Sequence, residues 1–598
     1  MKKPELPSVD DKSNPLIFLF AKMWKYSEGN RKKVVWYWTM FIVTISISLF
    51  CLPLLWATIM DTVQKNGITQ ESIGRLLQLL ALTLFIEFFF WCFHGPARLI
   101  EQLNAFKARV NYRKHLLKGV MTLPLEWHSE HHSGDTIDKI EKGTRSLFEF
   151  SEGSFEIIYG LVLLAGSYSM LVYLSYPAAF IVLAMILTTV FITTRFDKIL
   201  IAQYKELNHS ENQISESMFD AISNIGTVVV LRVEQLIYRA IIGKVEKPFP
   251  LFKRNICLNE LKWFLTSMCC AVMTVAVLAV YFWQNLGVKE GILIGNIFLL
   301  IKYLEKISEQ FYRFTYMYSD ILKRKSRLLN SEELAKDFRE ESFTNHVLPS
   351  DWKVLEINRL NFSYGKEGNG DHHLKNIFLS IGRGEKVALV GETGSGKTTF
   401  LKIMRNLYHP QSLELKIDGN NVPEGFEGIC RAISLIPQNS EIFTTTILGN
   451  ITIGAEHSME SVRFFTDIAR FTEVVERLPR KFDSSIKEKG VNLSGGEQQR
   501  LALTRGLLAS QDKEIVLLDE PTSNIDPDNA MKIYQNIFKG FPGKTIISSL
   551  HSLHLLHLFD RIVMFRDGQI IGSGSLGELL EKCSEFKTLW KQCDKTLS

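Results

Sequence analysis

Long hydrophobic runs alternate with charged segments through residues 1–330. A helix needs about 20 mostly apolar residues to cross a bilayer. The runs therefore predict an all-α membrane domain at 1–330 with six spanning helices, near 34–60, 76–100, 154–175, 177–195, 261–284 and 290–312.

The segments between these predicted spans differ in length and charge. Residues 61–75 and 285–289 are short, and the third and fourth spans are separated only by a turn at "SYP", whereas 101–153 and 196–260 are long and rich in Lys and Arg. Basic loops stay in the cytoplasm, so we expect a multi-pass protein of the inner (cytoplasmic) membrane with both termini and both long segments cytoplasmic. The long segments carry apolar residues at helical spacing, so we expect the spanning helices to continue beyond the bilayer.

The pattern changes after the last span. Residues 331–350 are charged and lack a long apolar run, which indicates a linker. In residues 351–598, short apolar strands alternate with helices, and this alternation is typical of an α/β domain.

Composition agrees with a chain that is half membrane and half soluble. The 598 residues are 46% hydrophobic and 22% charged. The net charge of +5 is too small to indicate a nucleic-acid partner. The 8 cysteines contain no C-x-x-C pair, so neither a zinc site nor a disulfide framework is expected. We expect no secretory signal in the N-terminal residues, and we expect the first apolar span to direct insertion.

The stretch "VALVGETGSGKTTF" at 387–400 places a glycine loop between an apolar strand and a helix start. It matches the pattern G-x-x-x-x-G-K-[ST], in which backbone N–H groups turn toward phosphate, the lysine reaches the outer phosphates and the hydroxyl ligates Mg²⁺. The predicted nucleotide contacts are Gly391, Glu392, Thr393, Gly394, Ser395, Gly396, Lys397, Thr398 and Thr399.

A second apolar strand ends in two acids, in "EIVLLDEPTS" at 514–523. A carboxylate at a strand end beside the phosphate loop is placed to ligate Mg²⁺. We assign Asp519 to Mg²⁺ and Glu520 to the polarisation of the attacking water. A solvated acidic loop fits poorly, because the preceding strand is apolar throughout. Together the two motifs predict a nucleotide hydrolase.

Seven motifs in order resemble the ATP-binding cassette of ABC transporters throughout 352–580. They are Tyr364 in "FSYG", the phosphate loop, Gln438 in "LIPQ", "LSGGEQQR", "LLDEPTS", Asp526 in "SNID", and His551. The resemblance implies that the second domain is a P-loop ATPase and that its nucleotide is ATP with Mg²⁺.

The resemblance also implies a role for each matching residue. Tyr364 would stack on adenine, Gln438 would contact Mg²⁺ and the attacking water, and His551 would hold the γ-phosphate and position Glu520. Standing alone, a Tyr, Gln or His is more often ordinary packing or surface.

The family shares each ATP site between two subunits. Ser494, Gly495 and Gly496 would therefore grip the γ-phosphate held by Lys397 of the other subunit, and Asp526 would contact the opposite subunit. Departures from the family pattern are few. "SNID" replaces the usual "SALD", and "IKEKG" replaces "VGERG" with Glu488 kept.

The first half resembles the six-span exporter domain of bacterial half-transporters of the multidrug and lipid-flippase type, over most of 15–330. The resemblance rests on "LPLEWHSEHHSGDTIDKIEKG" at 123–143 and on the fusion of one membrane domain to one cassette. It implies helices swapped between subunits and two coupling helices, near 128–136 and 218–226. A few siderophore importers share this architecture.

Three histidines have a spacing near that of a metal site, His128, His131 and His132. No carboxylate or Cys is clearly arranged with them, so we expect a polar loop and no metal site there.

Two groups of charged residues bear on the cargo. Glu305, Glu309 and Arg313 share one face of the sixth predicted helix. They line either a translocation pathway or a solvated face beyond the bilayer. Glu87 lies deeper, in the second span, and either faces a cavity or bonds a neighbouring helix.

These inferences predict ATP-driven export or flipping of a lipid, drug or peptide-like substrate across the cytoplasmic membrane. The expected partners are a second half-transporter, membrane lipid and the unidentified substrate. A homodimer is favoured and a heterodimer is open. The alternatives are a siderophore-type importer on the same fold and an ATP-gated channel or regulatory subunit. Intact Glu520 and His551 argue against an inactive cassette.

Overall fold

The computed structural model describes residues 14–131, 133–286, 293–338, 348–364, 373–438, 441–486 and 493–597. The chain forms two compact units. One is Met1–Leu123 with His131–Arg339, and the other is Pro124–Glu130 with Glu340–Ser598.

Over its described residues, the chain up to Lys336 is built from helices joined by short turns. The helices are α1 (Pro15–Tyr26), α2 (Arg31–Asn66), α3 (Gln70–Met121), α4 (Leu125–Glu130), α5 (Ser133–Glu152), α6 (Ser154–Leu174), α7 (Tyr176–Ser223), α8 (Ile225–Val230), α9 (Glu234–Glu246), α10 (Phe249–Gln284) and α11 (Ile294–Lys336).

Each predicted span is helical over its described residues except at two ends, Ser175 and Leu293. Among the described residues, five helices are long and apolar enough to cross a membrane, namely α2, α3, α6, α7 and the stretch Glu234–Gln284 that contains α10. The sixth prediction, 290–312, coincides with α11 from Ile294 onward. This helix falls short of the apolar length because Lys302 and a series of further charges follow its first eight residues, Ile294–Ile301.

Helices α3 and α7 confirm that the spanning helices continue well past a bilayer. They contain 52 and 48 residues. At 1.5 Å per residue each is roughly 70–80 Å long, against about 30 Å for the hydrocarbon core. The short helices α4 and α8 follow them, next to the segments predicted to couple the two domains. Helix α4 groups with the second unit.

The turn at "SYP" also has the predicted position. Ser175 separates α6 from α7, and its Oγ accepts a hydrogen bond from the Ala178 N–H at 3.4 Å. Pro177 lies in the first turn of α7, where a missing N–H costs nothing.

The second unit is α/β, as predicted. Its strands are β1 (Val354–Phe362), β2 (Leu374–Gly382), β3 (Lys386–Val390), β4 (Ser412–Ile417), β5 (Asn420–Asn421), β6 (Ile433–Ile436), β7 (Ile515–Asp519), β8 (Thr545–Ser549), β9 (Arg561–Arg566) and β10 (Gln569–Gly574). Its helices are α12 (Lys397–Met404), α13 (Phe426–Ile429), α14 (Ile447–Thr452), α15 (Met459–Ile468), α16 (Thr472–Arg477), α17 (Gly495–Ala509), α18 (Pro527–Gly540), α19 (Leu576–Lys582) and α20 (Ser584–Leu597).

The described strands form two sheets, one ordered β2-β1-β4-β5 and the other β10-β9-β3-β8-β7-β6. In the larger sheet only β10 runs antiparallel to its neighbour. Strands β7 and β8 are buried along their whole length, as expected for a parallel sheet covered on both faces. The carboxyl ends of β3, β7 and β8 meet at one edge, which gathers the loops that follow them.

Candidate active site

The phosphate loop joins β3 to α12, and three of its glycines have a positive φ, namely Gly391, Gly394 and Gly396. Gly391 has φ +147° and Gly396 has φ +106°. A Cβ on Gly391 would lie 2.2 Å from the Phe565 carbonyl oxygen. Gly396 is also the residue preceding α12, so the N-terminal N–H groups of that helix open toward the loop.

Lys397 lies inside this loop and is only 4% exposed. Its Nζ donates to the carbonyl oxygens of Gly391 at 2.8 Å and Glu392 at 3.0 Å. Burial lowers the pKa of Lys397, and the nearby carboxylates of Glu520 and Asp519 oppose that shift. The ammonium group is therefore held where a phosphate bound by the loop would meet it. Glu392, Thr393 and Gly394 are exposed, and Ser395 is buried.

Thr398 and Asp519 lie together beside the loop. The Thr398 hydroxyl donates to Asp519 Oδ1 at 2.9 Å, and Ser549 Oγ donates to the same oxygen at 2.8 Å. Hydroxyl and carboxylate oxygens are the ligands that Mg²⁺ prefers, and Mg²⁺ commonly takes one or two protein carboxylates and completes its shell with phosphates and water. Among the described residues no group of three or more His, Cys, Asp or Glu could hold a metal. The donor set fits Mg²⁺ bound together with a nucleotide.

The three residues predicted to be catalytic meet at the Glu520 carboxylate. Gln438 Nε2 donates to Glu520 Oε2 at 2.6 Å, and His551 Nε2 lies 2.7 Å from Glu520 Oε1. The Glu520 carboxylate is 8% exposed, whereas the His551 side chain is 47% exposed. The Glu520 backbone has φ +48°, in the left-handed region that non-glycine residues seldom adopt. Its N–H donates to Ser549 Oγ at 2.9 Å.

Tyr364 presents an aromatic ring next to the phosphate loop. Its hydroxyl donates to Thr399 Oγ1 at 3.3 Å, and the residue is 40% exposed. Phe362, His373 and Tyr408 contact it edge-on, at centroid distances of 4.8, 4.9 and 5.1 Å. These contacts hold the ring in place beside the nucleotide loop.

The signature segment "LSGGEQQR" begins α17 with a capping box. Ser494 Oγ accepts from the Glu497 N–H at 3.4 Å, and Glu497 Oε2 accepts from the Ser494 N–H at 2.8 Å. Arg477 forms an ion pair with Glu497. Burial alone would raise the pKa of Glu497, but these bonds outweigh it and hold the pKa below its ordinary value. Ser494 and Gly495 are exposed.

The "SNID" segment packs against the same helix start. The Asn524 N–H donates to Gln499 Oε1 at 2.9 Å, and a Cβ on Gly496 would lie 2.8 Å from the Asn524 carbonyl oxygen. Asp526 caps α18, and its Oδ2 accepts from the Asn529 N–H at 3.0 Å. Capping is the contact that the structure gives Asp526, and its contact with another subunit stays a prediction.

Two residues of this site were not singled out from the sequence. Ser549 bonds to both acid positions, and the buried Gln499 donates to the Glu520 carbonyl oxygen at 3.1 Å as well as accepting from Asn524. Gln499 lies within the quoted signature motif, which was the available signal. Ser549 carries no sequence signal beyond its place at the end of an apolar strand. His132 and Glu488 lie outside the described residues.

The charged face of α11 is paired with α6. Arg313 forms ion pairs with Glu156 of α6 and with Glu309, and its guanidinium lies 5.1 Å from the Tyr159 ring centroid. Glu305 pairs with Lys302. These contacts fit a translocation pathway and a solvated face equally, so both interpretations of this face stand.

Comparison with known proteins identifies the family. A model described as ABC transporter matches residues 374–523, and one described as ABC transporter transmembrane region matches residues 35–308. The chain belongs to the ABC transporters. This ABC transporter therefore binds ATP and is an ATPase coupled to transport across a membrane.

Relatives and a solved structure match most or part of the transporter. The β-(1→2)glucan export ATP-binding/permease protein NdvA of Rhodopseudomonas palustris (strain BisA53) is 26% identical over 96% of both chains. The ATP-dependent lipid A-core flippase of Alkalilimnicola ehrlichii is 34% identical over 40% of each. The structure of a bacterial Atm1-family ABC exporter with ATP bound aligns with a TM-score of 0.82 at 20% identity, covering 94% of this chain and 99% of that one, and supports the fold.

Proposed function

We propose that this chain is one half of a homodimeric exporter that uses ATP hydrolysis to move or flip a substrate across the cytoplasmic membrane. The observation that carries the proposal is the grouping at Glu520, where Gln438 and His551 both contact the carboxylate beside the Thr398–Asp519 pair. This grouping supports a working transporter over a regulatory subunit or a channel.

Each group has a role in this proposal. Glu520 polarises the attacking water, His551 steadies the γ-phosphate and Glu520, and Gln438 contacts the water. Lys397 and the N–H groups of the loop bind the phosphates. Thr398 and Asp519 would hold Mg²⁺, which offsets charge on the phosphates. Tyr364, whose ring Phe362 contacts edge-on, stacks on adenine.

A second copy of the chain completes the site in this proposal. Ser494 and Gly495 are exposed at the N-terminus of α17, a helix of 15 residues. That terminus is the positive end of a helix dipole and carries backbone N–H groups beyond those that the capping box uses, so it suits a phosphate presented by another subunit. A complete set of motifs permits two working sites, and this supports a homodimer.

The names of relatives support export and leave the cargo open. The full-length relative is a glucan exporter, and the cassette relative is a lipid A-core flippase. At these sequence identities we propose only that transport is outward, and that the cargo is a lipid, a drug or a peptide-like molecule. We also propose an inner-membrane location, cytoplasmic termini, and a division into membrane domain 1–330, linker 331–350 and cassette 351–598.

The hydrolytic assignment is tested with Glu520→Gln. This variant should retain ATP binding and lose hydrolysis by roughly 10²–10³-fold, because the amide cannot accept a proton. Glu460→Gln is the matched control, since Glu460 is exposed in the first turn of α15 and should leave turnover unchanged. Near-normal hydrolysis by Glu520→Gln would refute the assignment.

The direction is tested in inverted membrane vesicles, in which the cassettes face the medium. ATP-dependent uptake of a labelled lipid or drug supports export. ATP-dependent depletion from loaded vesicles would show import, as expected of a siderophore-type importer. Passive ion conduction with turnover insensitive to every cargo would show a channel.

A further inference from the structure

A proline interrupts the hydrogen bonding of the first span. Pro53 lies buried inside α2. A proline has no N–H, so it cannot donate to the carbonyl of the residue four positions earlier. That carbonyl belongs to Leu49, which is 1% exposed. An unpaired carbonyl in an apolar membrane core is costly, and membrane helices tolerate proline where a neighbour supplies the missing donor.

Tyr303 of α11 supplies that donor. Its hydroxyl donates to the Leu49 carbonyl oxygen at 3.3 Å, across 254 residues of sequence. Tyr303 is fully buried, and it shares one apolar core with Leu49, Leu300 and Leu304. The Tyr303 hydroxyl of α11 therefore takes the place of the backbone N–H that Pro53 lacks in α2.

The other proline within a long spanning helix shows no such arrangement. Pro96 lies inside α3 and leaves the Cys92 carbonyl without a backbone donor. The described residues provide no side-chain donor to that carbonyl. The pairing of a proline with a tyrosine is therefore specific to α2 and α11.

The segment around Pro53 is packed on one side and open on another. Toward α3, α2 borders an apolar groove of about 510 Å³ whose walls include Cys51, Leu54, Phe85 and Phe89.

We propose that Tyr303 is a positioning residue for transport, which ties the proline-interrupted segment of α2 to α11. Helix α11 ends at Lys336, shortly before the ATPase unit begins in the chain. A shift of α11 carries the Leu49 carbonyl with it or leaves that carbonyl unpaired in apolar surroundings. Movement of α11 is thereby transmitted to the first span at Pro53. This transmission of movement rests on the proposed function, whereas the hydrogen bond between Tyr303 and Leu49 does not.

Hydrogen–deuterium exchange on the full chain in nanodiscs tests the bond. Tyr303→Phe removes only the hydroxyl and should speed exchange of the α2 amides around Pro53 by about threefold, the usual strength of a side-chain bond between membrane helices. Pro53→Ala restores an N–H for Leu49, so Tyr303→Phe should have no effect in the Pro53→Ala background. Unchanged exchange in Tyr303→Phe, or the same acceleration in both backgrounds, refutes the bond's role.

ATP turnover tests the positioning role in four proteins: the unmodified chain, Tyr303→Phe, Pro53→Ala and the double variant. In the presence of Pro53, Tyr303→Phe should change ATP turnover by about threefold. In the Pro53→Ala background, Tyr303→Phe should leave turnover unchanged. Tyr281→Phe is the matched tyrosine control, because Tyr281 lies in the same core and its hydroxyl bonds no described residue. Pro96→Ala is the proline control and should not alter the effect of Tyr303→Phe. Altered exchange with unaltered turnover would overturn the positioning role. Absence of hydrolysis in the unmodified protein would instead count against the proposed function.

Discussion

The two units of this transporter use polar side chains in opposite ways. In the ATPase unit, polar groups converge on the open edge of a parallel sheet, where Glu520 meets Gln438 and His551. In the membrane unit, a buried pair of charges joins two helices: Lys262 of α10 lies 3.1 Å from Asp197 of α7, and both side chains are no more than 3% exposed. Nearby, Asn255 Nδ2 donates to Gln203 Oε1 at 3.1 Å.

The difference lies in what positions each group. A strand end and a glycine loop place Asp519 and Lys397 through a few neighbouring residues, so a short motif is enough to find them. Lys262 and Asp197 meet because two long helices pack in one register, which no short motif encodes. The groups at the strand ends remain open to a ligand, whereas Lys262 and Asp197 pair with each other between two helices.

The largest expected effect concerns the buried pair. Lys262→Met leaves Asp197 without its partner and should destabilise the membrane unit by about 3–5 kcal/mol. Thermal unfolding of the detergent-solubilised protein measures this loss. The double variant Lys262→Met/Asp197→Leu should recover most of it, because no charge is left unpaired. A single variant as stable as the unmodified protein would show that the pair is solvated, like the groups of the ATPase unit.

The next effect concerns Ser549, which supports both acids from within the sheet. Ser549→Ala removes its bond to Asp519 and leaves the Glu520 N–H unpaired, so ATP hydrolysis should fall by roughly tenfold. Ser548→Ala is the control, since Ser548 Oγ bonds Tyr534 instead, at 2.7 Å. Steady-state turnover at saturating ATP distinguishes the two. Equal losses would mean that Ser549 matters for the sheet and not for the carboxylates.

The same contrast explains how much the sequence could predict. Run length and composition located the spans, because a bilayer requires apolar length. They were weakest for α11, where Lys302 follows after Ile301 and the helix continues as a polar one to Lys336. Motifs located the residues that the structure gathers around the phosphate loop, because those residue types fix the local backbone. Ser549 and the pairing of Lys262 with Asp197 were missed, since each is defined by a contact distant in sequence.

A smaller effect separates capping from dimer contact at Asp526. Asp526→Ala should cost about 1 kcal/mol of stability in the ATPase unit, through loss of the α18 cap. Asp526→Ser keeps a capping oxygen and should restore that stability. If turnover also recovers in Asp526→Ser, capping is the whole role of Asp526. If turnover stays low at restored stability, the carboxylate acts elsewhere, as the predicted subunit contact requires.

The smallest effect is the pH dependence of the capping box of α17. The pKa of Glu497 is held below its ordinary value of 4.5, so ionised Glu497 stabilises the fold. The stabilisation relative to Glu497→Gln should be fully present above about pH 4.5 and disappear as the pH falls through the lower folded-state pKa. Its size should not exceed about 1 kcal/mol, as for other helix caps. Unfolding midpoints of both proteins between neutral and acidic pH measure it. A difference that persists at the lowest pH would mean that the side chain contributes through packing and not through its charge.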